Sequence, residues 1–291
     1  MSRVYGHDNE PFLKELEARG FFVARDAAAN YQRTAHSLAS TFSLEYLDPL
    51  AAAMGPASDD WVPLYRILGD HRVGRFFAGS GHRFVHLGSW WEPTRRNRRA
   101  HENRNLRDHP ELTRNLVAGS AVGRVSLELA RGPAAGRRDQ CERIRYKFAE
   151  LERLADDRAR TFVLAHLLVP HPPYVIDESG ECVDLETAQS RTRAENYLGQ
   201  LRYANRRLLE LVDRILAKAD TPPVIVLQAD EGPWPEAFGA DERVIARDAK
   251  KADWAKASRE QLREKLRILN ALYLPGEPAP QLPDTLSPVN T

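Results

Sequence analysis

Apolar positions recur at helical spacing in some stretches of the chain and run together in short β-rich bursts in others, and the two patterns alternate. From Asn9 to Gly20 the stripe is Phe12, Leu13 and Leu16; Asn9 is placed to cap this helix, Pro11 fits its first turn and Gly20 can end it. A strand-like FFVA follows at Phe21 to Ala24, then a short helix around Thr34 to Ser40, and then RFVHLG, Arg83 to Gly88, a buried strand. Ile144, Phe148, Leu151 and Leu154 give the stripe of a helix over Arg137 to Ala155. Thr161 to Val169 reads as a strand, and the prolines of PHPPY close it. The longest helix runs from about Thr187 to Lys218, with Tyr197, Leu201, Leu208, Val212 and Ile215 on its buried face. PVIVLQAD, Pro223 to Asp230, is β-branched and uncharged until its last residue, which predicts a central strand buried on both faces. Ser258 and Gln261 form a capping-box signature for a helix leading into a last strand near Leu269 to Leu274.

Helices alternating with single strands predict a layered α/β domain over residues 1–274 with a mostly parallel sheet. Residues 275–291, rich in proline, read as a linker without a packed end. In such sheets ligands sit beyond the carboxyl ends of the strands. Three polar clusters fall there: Ser89 with Trp90, His171, and Asp230 with Glu231.

Composition narrows the partners more than it changes the fold. The 291 residues are 42% hydrophobic and 29% charged, as in a globular protein with a large core. Forty-two Lys and Arg against 41 Asp and Glu leave a charge of +1, so no global field recruits nucleic acid. The arginines between Arg95 and Arg107 have no aromatic among them, which favours a solvated loop over a strand-binding surface. The longest apolar run, Phe162 to Val169, is far shorter than the roughly 20 residues that span a bilayer. Cys141 and Cys182 cannot build a disulfide framework or a zinc site and leave the redox compartment open. Walker A, nucleotide-glycine, HExxH and paired CxxC motifs are absent from the sequence.

Thr34 stands at a helix start, where a hydroxyl and free N–H groups can face a tetrahedral anion, although a plain cap accounts for it as well. His171, between prolines, suits an imidazole that binds a ligand or protonates a leaving group, or an inert surface turn. Asp230 and Glu231 repel one another unless a cation or proton intervenes, so a hard divalent metal is one reading and a solvated turn the other.

The stretches YGHDNEPFLKELEARGFFVA, NYQRTAHSLAS, HLGSWWEPT, AHLLVPHPPY, LRYANRRLLELVDRIL, LQADEGPWP and LNALYLPG together resemble the alkaline phosphatase superfamily. The similarity is to its bacterial sulfatase-like hydrolase/transferase branch, which includes lipoteichoic acid synthases and phosphoethanolamine transferases. The resemblance implies a three-layer α/β sandwich acting on phosphate or sulfate esters. Thr34 matches the nucleophile, His171 the His-Pro element that meets substrate, and Asp230 a metal-binding Asp; Asn30, Ser89, Trp90 and His166 would contact substrate. Two departures stand out: the family's first strand, ending in Asp-Gly, would precede Tyr5, and Glu231 stands where His is usual. These departures shift the expected metal from zinc towards magnesium, manganese or calcium, held weakly or lost. The resemblance also implies a partial catalytic domain of a longer, membrane-anchored protein, with this domain outside the cytoplasm. The rival expectation is a catalytically silent sulfatase-like domain that binds an anionic glycan or lipid head group, or supports a membrane protein.

Overall fold

The computed structural model describes residues 5–55, 58–107, 133–234, 254–276 and 282–291. Along the chain they form α1 (Glu10–Ala18), β1 (Phe22–Val23), α2 (Thr34–Ser43), α3 (Asp48–Met54), α4 (Val62–Gly69), α5 (Arg72–Gly79), β2 (Arg83–Leu87) and α6 (Glu92–Arg95). There follow β3 (Glu102–Asn103), α7 (Pro133–Ala155), β4 (Thr161–Ala165), α8 (Leu185–Ser190), α9 (Arg193–Lys218), β5 (Ile225–Gln228), α10 (Arg259–Leu266) and β6 (Asn270–Tyr273).

The fold is mixed α/β, but its described strands do not make one mostly parallel sheet. β3, β2 and β4 form a parallel sheet with β2 in the middle, Phe84 opposite Phe162 and Leu87 opposite Ala165. β1, β6 and β5 form a second, antiparallel sheet centred on β6. Among the described strands β5 is therefore at the edge of its sheet rather than central, and Val226 is 48% exposed. An uncharged β-branched run records a preference for burial; it does not record on which edge a neighbour stands.

Local chemistry sets the other boundaries. α1 buries Phe12 and Leu16 against Phe21, Val23 and Val212, and Gly20 takes φ +89° as the chain leaves the helix. Asn9 stands before α1 without capping it: its Oδ1 accepts from Asn205 Nδ2 at 2.7 Å and ties α1 to α9. The long helix expected from Thr187 is two helices. Asp184 caps α8, Thr192 and Glu195 form a capping box on α9, and this second start signal breaks the helix between them. The Ser258–Gln261 box opens α10 as expected.

The last ten residues are packed, unlike the expected free linker. Leu286 is buried against Ala24, Ala27 and Leu272, and Asn270 Nδ2 donates to Thr291 Oγ1 at 2.9 Å. Proline stops ladder pairing but leaves side chains free to fill a core. Cys141 of α7 and Cys182 are joined in a disulfide with Cα atoms 5.7 Å apart, beside Ile144, Phe148 and Ile176. Among the described residues no helix is long and apolar enough to cross a membrane.

Candidate functional site

Three loops and one helix start meet at the ends of the two sheets. The first loop leaves β2, where Gly88 allows a close turn: a Cβ there would stand 2.1 Å from the Arg95 carbonyl oxygen. Ser89 and Thr94 share a hydrogen bond of 2.8 Å, and Thr94 Oγ1 is 2.7 Å from His166 Nδ1, just beyond β4. His86 Nε2 donates to the Thr94 carbonyl at 2.8 Å, which leaves its buried Nδ1 without a partner. Ser89 is fully buried and its oxygen also accepts from Trp91 N–H at 3.0 Å, so this hydroxyl holds the turn rather than facing solvent. Trp91 packs towards α2 and α4, whereas Trp90 is 46% exposed.

The second loop carries His171. Its Nδ1 donates to the Pro172 carbonyl, which leaves Nε2 as an acceptor. Burial pushes the imidazole pKa down; the Pro172 hydrogen bond and the Asp230 charge oppose that shift, and Lys265 adds to it. His171 itself is exposed, and its free ring nitrogen, Nε2, is the one left to meet a ligand. His166 is driven well below the ordinary histidine range by burial, then by Lys147, His171 and His86.

The third loop follows β5 and presents Asp230 and Glu231. Ser37, one turn into α2, donates from its hydroxyl to the Asp230 backbone carbonyl at 2.6 Å, so the start of α2 lies against this loop. Ser40 Oγ donates to the Glu45 carbonyl at 2.7 Å. Both serines are fully buried, while Thr34, the first residue of α2, is half-buried. The N-cap position is Arg33, with no side-chain cap on the first turn. Asn30 Nδ2 donates to Ser40 Oγ at 3.2 Å and its buried Oδ1 has no partner.

Glu231 is paired with a cation of the chain itself. Its Oε1 is 2.9 Å from the ammonium of Lys265, a fully buried residue of α10. Lys265 also donates to the Gly232 carbonyl at 3.0 Å and lies 4.2 Å from the centre of the Trp234 ring. Burial pushes the Glu231 carboxyl up, the Lys265 ammonium pulls it back, and Asp230 pushes it up again. Gly232 is required here, since a Cβ would fall 2.2 Å from the Glu264 carbonyl oxygen. Among the described residues no group of three or more His, Cys, Asp or Glu side chains is placed to hold a metal ion. One Glu231 oxygen is taken up by the Lys265 ammonium, while the other, also buried, has no partner among the described residues.

The structure thus brings Thr34, Asn30, Asp230, Glu231, His171 and His166 to one end of the fold, and ties Ser89 into the turn beside them. Sequence reading missed Lys265, Arg33, Thr94 and Lys147. A lone lysine inside REQLREKL carries no local mark of burial, and only its partner 34 positions earlier reveals it. Three arginines of the run are paired with carboxylates outside the site: Arg99 with Asp70, Arg104 with Glu102 and Glu150, and Arg107 with Asp139 and Glu142. Comparison of the chain with protein-family models, curated proteins and solved structures finds no match.

Proposed function

We propose that this chain is a sulfatase-like domain, similar to the alkaline phosphatase superfamily, that binds the phosphate or sulfate head of an ester without a divalent cation. The observation that carries the reading is the Glu231–Lys265 pair at 2.9 Å. It places a fixed ammonium against the carboxylate expected to ligate a metal. Around it lies the uncapped start of α2 with Thr34. Helix N–H groups suit an oxyanion. The disulfide agrees with a domain that lies outside the cytoplasm, where such bonds persist.

A second reading, a transferase or hydrolase using Thr34, is favoured by one observation. The Ser37 hydroxyl is spent on the Asp230 carbonyl and the Ser40 hydroxyl on the Glu45 carbonyl, so Thr34 is the α2 hydroxyl near Asp230 left for chemistry. In that reading the Thr34 oxygen bonds to phosphorus while its hydroxyl proton passes to the ester oxygen, which leaves as the alcohol, and water or another alcohol later takes the phosphoryl group and returns a proton to Thr34.

Titration calorimetry with phenyl phosphate and phenyl sulfate in EDTA separates the two. Binding without turnover, weakened at least about tenfold by Thr34→Ala, supports the binding reading. Binding that requires added metal, or an adduct on Thr34 by peptide mapping, overturns it.

A further inference from the structure

Beside this site lies a narrow recess, open at its mouth, lined by Trp90, Gln140, Arg143, Lys147, Leu168 and His171. Lys147, on α7, is only 5% exposed, and its ammonium donates to the backbone carbonyl of His166. The charged and titratable groups that act on it come from three elements: Arg143 on α7, His86 on β2, and His166 beyond β4. Burial keeps both imidazoles uncharged, so this amine meets a carbonyl and the Arg143 cation, and no carboxylate stands among these groups. Arg143 is held at the rim by Asp139, at 2.6 Å, and by the Leu106 carbonyl, at 2.8 Å.

The other buried lysine among the described residues, Lys265, is paired with a carboxylate, that of Glu231. Arg104 has the buried Glu150. A buried amine is stable as a cation only with a countercharge, and the recess opens onto Lys147.

We propose that this recess is an oxyanion subsite in which Lys147 and Arg143 take a phosphate or sulfate group, with the rest of the ligand lying against the exposed Trp90 ring. The proposal rests on the ester-binding reading and names where the head group is held. An anion there supplies the charge that Lys147 lacks. Burial, with Arg143 adding to it, lowers the amine to about 7. A bound anion returns it towards the ordinary lysine range, so the subsite takes up a proton together with its ligand.

The test uses the disulfide-intact chain, inorganic phosphate and phenyl phosphate as probes, and lysines carrying a ¹⁵N label at Nζ. Phosphate should move the Lys147 Nζ resonance to its protonated position. It should also bind Lys147→Met at least about tenfold more weakly than wild type, while Lys147→Arg retains binding. Unchanged phosphate affinity in Lys147→Met, or a Lys147 resonance insensitive to saturating phosphate, overturns the subsite. If phenyl phosphate still binds in that case, only the subsite is lost. If inorganic phosphate binds at Lys147 while neither phenyl ester binds, the subsite stands and the ester reading falls.

Discussion

Replacing Lys265 by Met keeps the length of the side chain and removes its charge. Lys265 is fully buried and makes three interactions: Glu231 at 2.9 Å, the Gly232 carbonyl at 3.0 Å and the Trp234 ring at 4.2 Å. Glu231 is itself only 13% exposed, so little solvent can stand in for the missing ammonium. Breaking a buried pair by removing one partner costs about 3–5 kcal/mol, chiefly as the penalty of the stranded charge. Chemical denaturation of Lys265→Met should therefore show a loss in that range. Glu231→Gln added to it should restore more than half, because an amide is far cheaper to bury than a lone carboxylate.

The pH dependence has a definite sign. Burial and Asp230 raise the folded carboxyl above its unfolded value, and without Lys265 nothing pulls it back as strongly. A raised acid favours the folded state while protonated and loses that advantage as pH climbs through the interval between the two values. The deficit of Lys265→Met should accordingly be smaller near about pH 5 and largest at alkaline pH. A single variant within about 0.5 kcal/mol of wild type, or one that Glu231→Gln fails to improve, would refute the buried-pair argument.

Three further outcomes follow from the same geometry. Gly232→Ala forces a Cβ to 2.2 Å from a backbone oxygen, and calorimetry should show a loss of about 2–4 kcal/mol together with weakened ester binding. The Cys141–Cys182 bridge spans 41 positions, so the double Cys→Ser variant should lose about 4 kcal/mol by loop entropy, and reduced wild type should unfold at the same denaturant concentration as that variant. Thr34→Ala removes no cap bond, so its stability should stay within about 1 kcal/mol of wild type while calorimetry shows weaker phenyl phosphate binding.

Elements with strong local signals were legible in the sequence. The capping box at Ser258, the stripe of α1 and the run of β2 appear where the pattern places them, because caps and periodicity act over a few residues. Pairing was not legible in the same way. PVIVLQ reads as central yet stands at the edge among the described strands, and the Thr187–Lys218 stretch hides a second cap at Thr192. Of the site, the acidic pair after β5 and His171 after β4 stand out as polar residues closing apolar runs. Lys265 and Lys147 sit inside ordinary amphipathic helices, and their burial is decided by packing against distant loops.

The claim at the centre of this account is that Lys265, and not a divalent ion, balances the carboxylate of Glu231. Manganese titration of the disulfide-intact chain, followed by electron paramagnetic resonance of the free ion, measures this directly. The account predicts no saturable site in wild type at neutral pH. One stoichiometric manganese site that disappears in both Asp230→Ala and Glu231→Ala would contradict it.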